Sequence, residues 1–188
     1  MVDAVVQLTD PTTLRAYAHP LRLALVGLLR REGPLTATKA AARLGESVAS
    51  CSFHLRQLAK YGLVEHAGGG HGREKPWRAT ARTTAWDSAA EDPATRAAAA
   101  QLDAVLFEQY ARRVRAWFGR RDDDPPAWQA ACGPSDETVF VNPAELRQLT
   151  SEMDAALQRF QHRTADPAQR PAEARAVSVI QVVFPAES

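Results

Sequence analysis

Cysteine is nearly absent from this chain: Cys51 and Cys132 are the two among 188 residues. Two thiols make no disulfide framework, so a reducing, cytoplasmic setting is the expectation. Long apolar runs are missing as well. No stretch approaches the roughly 20 residues that span a bilayer, so no membrane partner is expected. The first residues, MVDAVVQLTDP, carry no basic leader ahead of an apolar core, and no export signal is expected from them. Cofactor loops are also wanting. The run GGGHG at 68–72 lacks the GK[ST] ending of a P-loop and the three-glycine spacing of a dinucleotide fold. Asp122, Asp123 and Asp124 are consecutive and followed by Pro-Pro, which suits a solvated linker better than paired acid and base. No Ser-His-Asp set sits in a supporting local motif. These absences point away from an enzyme and from a resident cofactor.

Net charge is small, at +1, but it is unevenly placed. Residues 1–82 hold 12 Lys+Arg against 6 Asp+Glu, a balance of +6. Residues 83–188 hold 11 against 16, a balance of −5. A basic first half suits phosphate binding. An acidic second half is a poor nucleic-acid surface and suits assembly or sensing.

Regular structure is legible along the first part of the chain. Asp10-Pro11 starts a short helix to about residue 18, with Asp as the cap and Pro at the first helical position. Pro20 opens a second, with Leu21, Ala24, Leu25, Leu28 and Leu29 at helical spacing, stopped by Gly33-Pro34. Thr36 caps a third, ending before Gly45. A fourth runs over 47–61 and ends at Gly62. Residues 63–67 and 73–79 read as two strands around the glycine-rich tip, and Pro76 confines the return strand to an edge. Helix, turn, helix, strand, tip, strand is the order of a winged helix-turn-helix, whose second helix enters the DNA major groove.

The remainder reads as helix with a little sheet. Residues 93–118 predict a long helix with the stripe Leu102, Val105, Leu106, Tyr110, Val114, Trp117 and Phe118. RRDDDPP at 120–126 breaks it, and one helical turn is expected at 127–131. A small α+β segment is expected beyond: a strand at 137–141, a helix from Asn142-Pro143 with Leu146, Leu149, Met153, Leu157 and Phe160, and a strand at 177–184 that is almost wholly apolar. The expected organisation is therefore a mainly α chain with small β. Its parts are a winged helix-turn-helix domain at 1–82, a long dimerisation helix at 83–124 and a small α+β effector or dimer region at 125–188. No internal repeat is visible.

A helical wheel divides residues 47–61. Val48, Cys51, Leu55 and Leu58 share one face and should pack inward. Ala49, Ser50, Phe53, Gln57 and Lys60 lie opposite, with Ser47, Ser52, His54 and Arg56 on the flanks. Small and hydroxyl residues allow close approach to base edges. Gln pairs with adenine, and Phe meets a thymine methyl. Arg56, Lys60 and His54 suit phosphates on the groove walls. In the wing, His71, Arg73, Lys75 and Arg78 are placed to reach an adjacent groove or the backbone. An exposed Phe centred on a polar face is hard to explain as core.

LRAYAHPLRLALVGLL (14–29), SCSFHLRQLAKYGLV (50–64) and the glycine-rich wing resemble ArsR-type winged-helix regulators. The S-x-H-L pattern stands here as Ser52, Phe53, His54 and Leu55. The likeness covers about residues 10–82. It implies a homodimer on a partly palindromic operator, usually a repressor released by a signal. It also implies that Ser50, Ser52 and His54 lie near DNA while Cys51 is core.

Metal sensing, common in that family, is not expected. Many members carry a Cys-x-Cys pair in the helix before the recognition helix; here that helix is TATKAAARL, without Cys or His, and the helix at 93–118 has no His. Cys51 and His54, three residues apart, could share a redox or zinc role, but a core thiol beside a phosphate-contacting imidazole is the favoured reading. Cys132, beside Gly133-Pro134 in an expected loop, could be a reactive thiol, but no local motif supports that role. His66 and His71 straddle the wing turn without a third ligand. Trp86, Tyr110, Trp117 and Trp128 are the aromatic candidates for an apolar ligand pocket, although aromatics at helical spacing are more often core. The leading expectation is a dimeric DNA-binding repressor answering an unidentified effector. The alternative is a small-molecule-binding or protein-interaction module that keeps a winged helix without operator binding.

Overall fold

The computed structural model describes residues 3–68 and 75–186. It is mainly helical with a small amount of sheet, as the patterning predicts. Strand β1 (Asp3–Leu8) leads into helices α1 (Pro11–Tyr17), α2 (Pro20–Glu32), α3 (Ala37–Leu44) and α4 (Val48–Lys60). Strands β2 (Val64–His66), β3 (Trp77–Ala79) and β4 (Ala81–Trp86) follow, then the long helix α5 (Pro93–Phe118). Beyond it lie α6 (Pro126–Ala131), α7 (Pro143–Gln158) and the single turn α8 (His162–Ala165).

The chain divides into two compact units, Met1–Phe118 and Gly119–Ser188. A boundary at residue 82 would fall inside β4, and α5, set apart by its sequence pattern, lies within the first unit. Its first half explains why: Thr95, Ala98, Ala99 and Leu102 are buried, and α5 packs against α1. Two adjacent alanines let the helix axes come close. Asp92 fastens the start, its Oδ2 accepting from Thr95 N at 2.8 Å and Thr95 Oγ1 at 2.6 Å.

Local chemistry sets the other helix ends. Asp10 Oδ1 accepts from Thr12 N and Thr13 N at 3.0 and 2.9 Å. Thr36 Oγ1 accepts from Lys39 N, and Ser47 Oγ from Ser50 N. These are orphan donors of a first helical turn, satisfied by a side chain. Gly45 (φ 67°) and Gly62 (φ 70°) adopt the left-handed conformation that ends α3 and α4. After Gly62 the chain folds back so that Leu63 N donates to Leu58 O at 3.0 Å.

β2 and β3 pair antiparallel, with Glu65 opposite Arg78 and His66 opposite Trp77. Leu35 exchanges two backbone bonds with Trp77, at 3.0 and 2.8 Å, which ties the loop before α3 to this wing. A second pair was not foreseen: β1 runs parallel to β4, with Val5 opposite Thr83 and Leu8 opposite Trp86. Arg30 of α2 binds β4 from within, donating to Ala81 O at 2.9 Å and Thr84 Oγ1 at 2.7 Å. The core gathers Leu14, Leu25, Leu28, Leu55, Leu58, Leu63 and Leu102, all nearly inaccessible to solvent.

Among the described residues of the second unit none is buried. Asn142 and Glu145 form a reciprocal capping box that starts α7. The strands expected at 137–141 and 177–184 are not formed: both segments lack a ladder, and their Val and Phe side chains are exposed. The expected α+β segment is helical and irregular instead. β-Prone side chains make a strand only where a neighbouring strand and a covering face are supplied. No described helix is long and apolar enough to cross a membrane.

Candidate nucleic-acid interface

Helix α4 has two contrasting faces. Cys51, Leu55 and Leu58 are buried, at 0–1% exposure, and hold the helix against the core. Cys51 lies in the core, where burial pushes its thiol above the ordinary pKa and Glu46 adds to the shift. Val48, expected on this face, is 47% exposed. It is the first helical residue, one turn ahead of the buried Cys51.

The opposite face is open. Ala49, Arg56 and Lys60 are exposed, Phe53 is 50% exposed, and Ser50, Ser52 and Gln57 are half-buried. Ser47 is exposed but committed as the helix cap. Lys60 Nζ stands 5.6 Å from the centroid of the Tyr61 ring, so the ammonium lies over an aromatic face at the end of α4. A half-exposed Phe among small polar residues gives this face an apolar centre and a cationic margin.

His54, expected on a flank of α4, is half-buried and turns toward α2. Its ring stacks on His19 with centroids 4.5 Å apart, and Phe53 meets it edge-on at 5.2 Å. His54 Nδ1 is buried without a hydrogen-bond partner among the described residues, as is Arg22 Nε. His19 in turn caps α2, its Nδ1 accepting from Leu21 N at 3.1 Å. Helix α4 and the N-terminus of α2 thus meet at two imidazoles. This joint was missed in the sequence; its only signal was His19-Pro20 at a helix start. Burial, then the Arg22 charge, holds both histidines below the ordinary value, His54 further depresses His19, and Glu46 opposes the shift.

The sign of the pH dependence follows. The unfolded chain protonates these histidines first as pH falls through about 6.5, so it binds more protons and gains on the folded state. Their contribution is full above about pH 6.5 and declines below it. The urea midpoint of the wild type is expected to drop between pH 7.5 and 5.5, and the drop to shrink in His19→Asn/His54→Gln. An equal drop in both proteins would exclude the pair as its source.

The wing adds little free charge among the described residues. Arg78 is paired with Glu65 at 2.8 Å across the ladder, and the His66 ring lies 3.8 Å from that of Trp77. Lys75 is exposed. His71 and Arg73, both expected to contact DNA, lie outside the described residues.

The aromatic residues proposed for a ligand pocket divide between the two units, and each is described by its own surroundings. Trp86 is half-buried at the end of β4 and donates its indole N–H to Asp103 Oδ1 at 2.9 Å. Tyr110 is half-buried on α5, and Trp117 packs on Phe118 at 5.0 Å. Trp128, in the second unit, lies beneath the Arg175 guanidinium at 5.3 Å. An open groove of about 560 Å³ beside α4 is lined by His19, Ser50, His54, Gln109 and Arg112, and by none of those four aromatics. Among the described residues no three His, Cys, Asp or Glu side chains are grouped to hold a metal ion. Cys132 is half-buried and free.

No curated protein is significantly similar to the chain. A family model of a helix-turn-helix domain matches residues 17–67, a span from the end of α1 through α2, α3 and α4 to the first wing strand. Helix packing, the exposed face of α4 and this match agree on a helix-turn-helix domain of the kind found in DNA-binding regulators.

Proposed function

We propose that the chain is a sequence-specific transcriptional regulator of the ArsR type, acting as a homodimeric repressor on a partly palindromic operator. The carrying observation is the division of α4: Cys51, Leu55 and Leu58 are fully buried, while Ala49, Phe53, Arg56 and Lys60 face outward. Such a helix presents side chains to base edges from a rigid support. Ser50 and Gln57 read bases, Phe53 meets a thymine methyl, and Arg56 and Lys60 hold phosphates. Two such helices engage successive major grooves about one helical turn apart. The second half of α5 supplies the dimer surface, with Phe107, Val114 and Phe118 at 57%, 38% and 47% exposure. Occupancy of the operator, altered by an effector that changes dimer geometry, is the regulatory act. The protein works in the cytoplasm and performs no catalysis.

Selection from a random duplex pool tests this. The wild type should enrich two inverted half-sites with centres 10–10.5 base pairs apart or a multiple of that. Ser50→Ala and Gln57→Ala should each cost the selected operator about 1–3 kcal/mol and relax preference at one base pair. A pool without any enriched sequence would sink the proposal and leave a module for protein or small-molecule contacts.

A further inference from the structure

The second unit exposes two segments that the unit itself leaves uncovered. In residues 138–141 (TVFV), Val139, Phe140 and Val141 are 57%, 100% and 41% exposed. In residues 177–184 (VSVIQVVF), Val177, Val179, Val182, Val183 and Phe184 are 51–74% exposed. Neither segment joins a ladder. With Phe taken near 200 Å², these side chains present apolar surface on the order of 700 Å². That matches the ~800 Å² each partner contributes to a standard interface.

The composition selects strands, and the alternation asks for two covers. Val, Ile and Phe fit a pleated surface. In extended form Val177, Val179 and Val183 lie on one side of segment 177–184, and Ile180, Val182 and Phe184 on the other. A strand apolar on both sides belongs inside a protein. The unit owns one long amphipathic helix, α7, with a single stripe of Leu146, Leu149, Met153 and Leu157. One stripe covers one side of a sheet, so each unit is one cover short. A second copy of the same unit supplies the missing cover and, by two-fold symmetry, receives one. Nothing in 177–184 opposes this, since the segment carries no charge, Gly or Pro. Its two ends are defined. Arg175 is held by Asp124 at 3.0 Å and lies over Trp128, and Pro185 stops any ladder on the other side.

We propose that residues 138–141 and 177–184 are the strands of a sheet that two copies of this chain complete between them. The inference rests on the homodimer reading and adds to α5 a second, separate self-association surface. The chain that pairs with these segments is identical to this one, not a foreign partner.

Sedimentation and amide hydrogen exchange of the full chain, from 1 to 100 μM, test it. The wild type should dimerise, and protection of the 177–184 amides should rise with protein concentration. Val179→Asp/Val182→Asp places one charge on each side of the segment and should weaken self-association at least 100-fold. Because both side chains are exposed in the single chain, binding to a single operator half-site should persist as a check on folding. Three results would overturn the inference: unchanged self-association in that variant, protection of 177–184 independent of concentration, or a wild type monomeric at 100 μM. Phe107→Asp/Val114→Asp separates the two readings. If it alone abolishes the dimer, the α5 interface stands and the sheet is excluded.

Discussion

Leu55→Ala is expected to lower the unfolding free energy of the first unit by about 2–5 kcal/mol. Leu55 is wholly inaccessible and lies mid-helix in α4, in one core with Leu14, Leu25, Leu58 and Leu102. Truncation removes transfer free energy and leaves a cavity that a close-packed interior refills only in part. Domains of this size are stable by about 5–15 kcal/mol in all, so the loss is a large share. The urea midpoint, followed by helical circular dichroism, should fall sharply, and operator binding should fail first at higher temperature. Leu55→Met keeps the volume and should cost less than about 1.5 kcal/mol. Phe53, two residues away and half-exposed, should tolerate Ala with little change in stability. A Leu55→Ala loss below 1 kcal/mol would mean that α4 is not seated as described, and its outward face would lose its meaning.

That contrast between neighbours was readable from the wheel, because burial on α4 repeats with the period of the helix. The caps at Asp10, Thr36 and Ser47, and the glycines that end α3 and α4, were legible for a similar reason: each acts on backbone groups within three or four residues. Val48 failed for a geometric reason. It has the correct phase, but it stands at the first helical position, one turn ahead of the buried Cys51. β1 and β4 escaped because their pairing joins residues nearly 80 positions apart, and a parallel ladder leaves no turn signature between its strands. The stacking of His54 on His19 escaped for a related reason. His19 stands at the start of another helix, and no spacing within α4 reports it. In the second unit the apolar pattern of 177–184 described an environment, buried on both sides, that the unit by itself does not provide.

Arg56→Ala/Lys60→Ala is expected to produce the largest loss of operator affinity. Both side chains are exposed on the margin of the α4 face, and the charged end of neither meets a carboxylate within ion-pair distance among the described residues. Their charge is thus available to phosphates. Each neutralised phosphate contributes a slope of about −0.9 to the dependence of log affinity on log salt, through release of condensed counterions. Removing two contacts per protomer should flatten that slope by about 1.8 for one half-site and about 3.6 for a dimer. Relative to 1 M salt, the loss at 0.15 M amounts to roughly 30-fold per half-site and about 10³-fold for the dimer. Sequence preference should survive, because phosphate contacts position the protein without reading bases. The measurement is a fluorescence-anisotropy titration of one selected operator and one scrambled duplex at several salt concentrations. Arg56→Lys should recover most of the affinity, since a phosphate accepts a point charge where a bidentate base contact would not. A slope unchanged in the double variant would place the phosphate contacts elsewhere. A loss confined to the selected operator would instead assign Arg56 to base reading, through the bidentate contact that arginine makes with guanine.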